Sequence, residues 1–221
     1  MATSSSGPGE AAQAADSRRL ILDTAARLFR SEGYAGTSLR DIAGAAGMKA
    51  ASLYHHFASK DAIVGEVLAI GVQQVHETAR AAVAALPEQA DARTLLASAI
   101  HAHLQGMHGL QDYTSANLRI FGQVPAAVRE AHLPARDAYE RWWAALLARC
   151  ARQGGFDPRR DLRLARLFLF SAMNGSLDWF QGGALSLRAV AEELAELVLD
   201  GLRLRPGAAP QPSPPARTPR R

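Results

Sequence analysis

Residues 37–60 read TSLRDIAGAAGMKAASLYHHFASK, and their punctuation is that of two short helices joined by a tight turn. Thr37 is a good N-cap for a helix through Ala46, and Gly47 stops it. The second helix spans about Lys49 to Phe57, and Ser59 caps a longer one with Lys60 and Asp61 in its first turn. Ile42, Ala46 and Met48 point toward a core formed with Leu28 and Phe29. Leu53 and Phe57, four apart, bring the second helix onto that core. Ala43 and Ala46 are small, as two helices crossing steeply at close range require. The pattern is a helix-turn-helix. With its apolar face buried, the second helix presents Ala50, Ala51, Ser52, Tyr54, His55 and His56 outward. That set is small at the front and hydrogen-bonding at the back, which suits a helix whose N-terminal end enters the major groove of DNA.

Working outward, apolar residues recur at spacings of three and four and β-branched residues are few, so the remainder reads as helices without strands. Leu20, Ile21, Ala25, Leu28 and Phe29 form a helix ended by Gly33. The helix capped by Ser59 reaches roughly Leu86, before Pro87. Further helices are expected over about 91–108 and 112–122, and from Pro125 to Gly154, interrupted or kinked at Pro134. Two more follow, one opened by Asp157 and closed by Gly182, the other capped by Ser186. The expectation is an all-α chain of about nine helices. It divides into a tail (1–16), a three-helix head (17–64), a body (65–205) and a proline- and arginine-rich tail (206–221), with both tails disordered.

Composition narrows the function. The 221 residues are 48% hydrophobic and 21% charged, an ordinary globular balance, and the formal net charge is +4. Location matters more than the total. Residues 17–61 hold seven basic side chains against four acidic ones, including Lys49 and Lys60, the only lysines in the chain, whereas 62–205 hold fifteen of each. A basic module thus sits on a neutral body. A lone Cys150 allows no internal disulfide, and no stretch approaches the ~20 apolar residues of a membrane span, so a cytoplasmic protein is predicted.

The string Ser52-Leu53-Tyr54-His55-His56-Phe57 followed by Ser59-Lys60 resembles the tetracycline-repressor (TetR) family of bacterial transcriptional regulators, over about residues 18–64. The resemblance implies that Thr37 and Ser38 grip phosphate and that Arg40 reaches a base edge. It implies further that Ala50, Ala51 and Ser52 line the groove, that Tyr54, His55 and His56 contact phosphate and neighbouring bases, and that Lys60 with its helix N-terminus holds a phosphate. Two departures stand out. Lys49 occupies the recognition-helix N-cap where Ser or Thr is common, and Ala50 and Ala51 offer no side-chain hydrogen bonds. Lys49 is the long cation best placed to reach a guanine edge or a flanking phosphate.

The resemblance also implies a homodimer on a palindromic double-stranded operator, released by a small effector and without a cofactor. In such proteins the last two helices pair with those of a second subunit. The interface is therefore expected at Leu164, Leu167, Phe168, Leu177, Val190, Leu194, Leu197 and Val198. The helix over 162–180 is apolar on nearly all sides yet holds Asn174 and Asp178. With Trp143 and Trp179 these are the expected pocket residues, for a hydrophobic effector that includes acyl-CoA thioesters. A cation at a mouth, Arg119, Arg136 or Arg141, would serve a phosphate.

His101, His103, His108 and His132 do not space as metal ligands, and no metal site is expected. They read as pocket or surface histidines. Cys150 lacks any base or oxyanion arrangement, so an enzyme is not expected. A TetR-like activator, a regulator answering a protein partner and, more remotely, an enzyme or carrier using the C-terminal cavity remain alternatives at this point.

Overall fold

The structure is a computed structural model and describes residues 8–203, with 155 and 158 excepted. The elements are α1 (Pro8–Gly36), α2 (Leu39–Ala45), α3 (Ala50–His56), α4 (Lys60–Ala84), α5 (Ala92–Gly109), α6 (Gln111–Ile120), α7 (Ala126–Gly154), α8 (Leu162–Trp179) and α9 (Leu187–Leu202). Among the described residues there is no strand, only one isolated bridge between Phe156 and Arg203.

Three expectations are corrected. Helix α1 starts at Pro8, so residues 8–16 of the expected disordered tail are helical; the alanine-rich stretch before Arg18 favours helix. The rest of that tail and the whole of 206–221 lie outside the described residues. The N-cap of α2 is Ser38, not Thr37. Of the interruption or kink expected at Pro134, the interruption is absent, because α7 runs on through it.

Two cores stack along the molecule. The first gathers Ile21, Ala25 and Phe29 of α1, Ile42 of α2, Leu53 and Phe57 around α3, and Ile63, Val67 and Leu68 of α4. It does not end with the head, because Tyr113, Ala116 and Ile120 of α6 complete it. The second core belongs to the body and joins Leu95, Leu96, Ile100 and Leu104 of α5, Trp143 and Leu147 of α7, Leu169 and Met173 of α8, and Ala191, Ala195 and Leu199 of α9. Helix α4 contributes to both, which ties head to body along one rod.

Glycine permits the two closest approaches at the junction. Gly33 breaks α1 at φ 78, and a Cβ there would lie 3.1 Å from Gln123 Oε1. That same oxygen accepts from the Tyr34 N–H at 3.2 Å. At Gly71 on α4 a Cβ would lie 3.1 Å from the Tyr113 carbonyl, so a side chain there would push α4 and α6 apart by a few tenths of an ångström.

Candidate DNA-binding face and effector cavity

Helix α3 turns Leu53 and the following Phe57 inward, leaving Ala51, Ser52, Tyr54 and His55 exposed and Ala50 and His56 half-buried. Tyr54 is 56% exposed, a large aromatic surface turned to solvent. Lys49 is the N-cap of α3, is exposed, and makes no side-chain cap hydrogen bond. A cation there opposes the helix dipole by roughly 0.3 to 1 kcal/mol. Arg40 is likewise exposed, with no ion pair among the described residues.

Ser38 caps α2 and is exposed. Its Oγ accepts from the Asp41 N–H at 3.2 Å, and its own N–H donates to the Asp41 carboxylate at 2.9 Å, a reciprocal capping box. The Ser38 side chain first and its backbone N–H second hold the Asp41 carboxyl below the usual range.

Thr37 and Lys60 do not take the places expected of them. Thr37 is 2% exposed and its hydroxyl donates to the Gly33 carbonyl at 2.9 Å. Lys60 Nζ donates to the carbonyls of Tyr34 at 2.9 Å and Thr37 at 3.1 Å, and sits 3.8 Å from the Tyr34 ring centroid. The break at Gly33 leaves carbonyls without helical partners, and these two side chains supply the missing donors. The Tyr34 hydroxyl then donates to Asp61 at 2.6 Å, and burial with that contact pushes its pKa up to about 12.

In the body, α4, α5, α6, α7 and α8 enclose a cavity with about 540 Å³ of atom-free space, its mouth included, of which about 80 Å³ is wide enough for the centre of a water molecule. Val72, Val75, Met107, Tyr139 and Phe170 give it an apolar wall, and His103, Thr114, Asn117, Arg136 and Asn174 the polar points. Of the expected pocket residues only Asn174 lines it. Trp143 is fully buried behind the wall, edge-on to Trp142, Phe170 and His103. Asp178 borders an outer groove with Arg30, Ser115 and Arg119, and Trp179 is exposed. Asp178 continues the face of α8 that carries Phe170 and Asn174 but lies one turn beyond the cavity, and Trp179 is rotated well away from that face.

His103 was legible only as a pocket or surface histidine, yet it sits on the buried face of α5 with Ile100, Leu104 and Met107. Burial lowers its pKa to about 4. His132 is pushed to about 4 by burial and, secondarily, by the Arg136 charge. Burial raises the Cys150 thiol to about 11, which fits a structural role.

The expected interface residues divide. Leu164, Leu167, Phe168 and Leu197 are exposed, Phe168 by 72%. Leu177, Val190, Leu194 and Val198 are instead half-buried against the chain's own core, because they stand on the inner shoulders of α8 and α9.

Comparison with known proteins decides the family. The model of the bacterial regulatory proteins of the tetR family matches residues 21–67, and that of the tetracyclin repressor-like C-terminal domain matches 87–202. The chain belongs to the TetR family. The HTH-type transcriptional repressor KstR2 of Mycolicibacterium smegmatis is 30% identical over 88% of this chain and 95% of its own length. Among solved structures, the TetR family transcriptional regulator PfmR of Thermus thermophilus superposes with a TM-score of 0.71 at 30% identity, over 84% of this chain and 96% of its own. The ketosteroid transcriptional regulator KstR2 of Mycobacterium tuberculosis gives 0.73 at 25% identity, over 85% and 95%. In this TetR-family chain the first of these models covers most of the head and the second most of the body. Among the described residues no helix is long and apolar enough to cross a membrane.

Proposed function

We propose that this TetR-family chain is a cytoplasmic transcriptional repressor, without enzymatic activity, that binds a palindromic operator as a homodimer and releases it when a hydrophobic effector fills the body cavity. One observation carries the reading. Helix α6 lines the cavity with Thr114, Asn117 and Leu118, and with its other residues it grips α1 of the head. Tyr113 donates to Asp23 at 2.6 Å, Arg30 pairs with Asp112 at 2.9 Å, and Arg119 donates to the Arg30 carbonyl at 2.7 Å. A ligand that moves α6 therefore moves α1, and with it the helix-turn-helix.

In a dimer, two copies of α3 must meet half-sites about 34 Å apart, one turn of DNA. The exposed apolar residues of α8 and α9, Leu164, Leu167, Phe168 and Leu197, supply a self-complementary face for that pairing. Ser38, Arg40, Lys49, Ser52, Tyr54 and His55 supply phosphate and base contacts, while Ala50 and Ala51 pack against thymine methyls. Effector and operator then oppose each other through their different affinities for two dimer shapes, with a coupling of about 1 to 3 kcal/mol.

The apolar wall favours a bulky hydrophobic effector, an acyl thioester included. The similarity to a ketosteroid regulator supports the same class. A gel shift on DNA flanking the chain's own gene, with and without such compounds, tests the proposal. A retarded band lost on adding one of them is expected. A band unchanged by every apolar compound would overturn the effector part, and no sequence-specific band the whole.

A further inference from the structure

The polar points of the cavity are not equivalent. Thr114 donates to the Met107 carbonyl at 2.8 Å. Asn117 donates to the Leu68 carbonyl at 2.9 Å and accepts from Arg136 at 3.0 Å, and the Arg136 guanidinium lies 4.2 Å from the Phe121 ring centroid. Glu140 accepts from Arg166 at 2.8 Å. These groups are already engaged inside the chain. His103 is engaged on one side only. Its Nδ1 lies 2.7 Å from the Tyr139 hydroxyl, while its Nε2 is buried with no partner. Asn174 is near enough to favour the charged ring, yet it makes no hydrogen bond of good geometry with Nε2.

The proton positions follow from this pairing. The buried Tyr139 hydroxyl needs an acceptor, and Nδ1 is its partner among the described residues, so Nδ1 accepts and the ring proton sits on Nε2. Burial keeps the ring neutral at physiological pH. A buried N–H without an acceptor is rare in folded proteins and costs free energy; Trp143 Nε1 is equally unpartnered behind the wall, but His103 lines the cavity, where a ligand that shifts the lining slightly supplies the acceptor. The ring is fixed by its neighbours: Tyr139 stacks at 5.9 Å, and Trp143 and Phe170 stand edge-on at 6.2 and 5.7 Å. A neutral donor in an aromatic shell suits an uncharged oxygen; it repels an ammonium and offers no charge to balance an anion.

We propose that the effector carries an uncharged carbonyl or hydroxyl oxygen on an apolar body, and that this oxygen accepts a hydrogen bond from His103 Nε2, with Asn174 as its second polar neighbour. This rests on the reading of the cavity as the effector site. His103 is then the residue that separates an oxygenated ligand from a hydrocarbon of the same shape. A site holding an unpaired polar group discriminates strongly against a ligand that leaves it unpaired.

The test uses the full chain and two probes of one shape, 1-indanone and indane, titrated calorimetrically into the unaltered protein and His103→Leu. The ketone should bind at least tenfold more tightly than the hydrocarbon. His103→Leu should bring the two together by weakening the ketone alone. Should that variant misfold, the ¹⁵N resonance of the His103 Nε2 in the unaltered protein gives the same answer, and it should move on adding indanone and not indane. Equal affinities for the unaltered protein, or an unmoved Nε2 resonance at saturation, would overturn the hydrogen bond while leaving the effector site in place. If neither probe binds, the effector reading of the cavity fails and the proposal with it.

Discussion

Tyr113 of α6 donates its phenol to Asp23 of α1 at 2.6 Å, so a helix that lines the cavity is bonded to the helix that anchors the DNA-binding head. Tyr113 is itself buried within the head core, and its pKa is raised by burial first and by the Asp23 bond second. A bond to a charged acceptor contributes about 1.5 to 3 kcal/mol. In Tyr113→Phe the ring still packs but the tie to Asp23 is gone. Effector should bind the free protein within about twofold of its original affinity, while roughly tenfold more is needed to release DNA. Calorimetry without DNA and anisotropy with it separate the two quantities, and parallel changes in both would remove Tyr113 from the coupling.

Lys60 gives a second expectation, because its ammonium is committed to the Tyr34 and Thr37 carbonyls. Lys60→Met should lower unfolding stability by about 1 to 3 kcal/mol, since two carbonyls lose a charged donor. The salt dependence of DNA binding should keep its slope. A slope smaller by about one would instead return Lys60 to the phosphate backbone.

Acid should weaken the fold in a defined window. His103 and His132 have folded pKa values of about 4 against an ordinary value of 6.5. Between those values the unfolded chain binds more protons than the folded one, so stability rises with pH there. Their contribution is full above about pH 6.5 and fades as pH falls toward 4, by about 3 kcal/mol for a fully buried ring such as His103. Urea denaturation at pH 7.5, 6 and 5 should show a falling midpoint, and His103→Phe should flatten part of that fall. A midpoint indifferent to pH over this range contradicts the burial argument.

Phe168, 72% exposed, is the most exposed large apolar side chain among the described residues. Phe168→Glu should convert the dimer to monomers by light scattering at micromolar concentration, with loss of operator binding and little change in helical content. A dimer that survives the charge would place the interface elsewhere.

Much of this molecule was readable from residue order, and the failures have physical causes. The turn from Ala46 to Lys49 and the inward Leu53 and Phe57 followed from helical phase alone. The cap at Ser38 rather than Thr37 depended on the break at Gly33, whose positive φ places the Thr37 hydroxyl under a carbonyl. Lys60 was drawn to that same break, and nothing local signals a contact across 23 and 26 residues. The cavity was the least legible part. Asn174 stood out as a polar residue in an apolar helix, whereas His103, Asn117 and Arg136 come together from three helices. For His103 the signal was present in its position between Ile100, Leu104 and Met107 on one stripe of α5.

Helix α3 should read a specific operator under the control of a ligand in the body. Fluorescence anisotropy of a labelled duplex from upstream of the chain's own gene, titrated with the unaltered protein and with Tyr54→Ala, tests both halves once effector is added. The unaltered protein should bind at least a thousandfold more tightly than it binds scrambled DNA. Tyr54→Ala should lose tenfold or more, and effector should release the duplex from the unaltered protein. Equal affinity for operator and scrambled duplex, or a Tyr54→Ala protein that binds as the original does, would contradict the account.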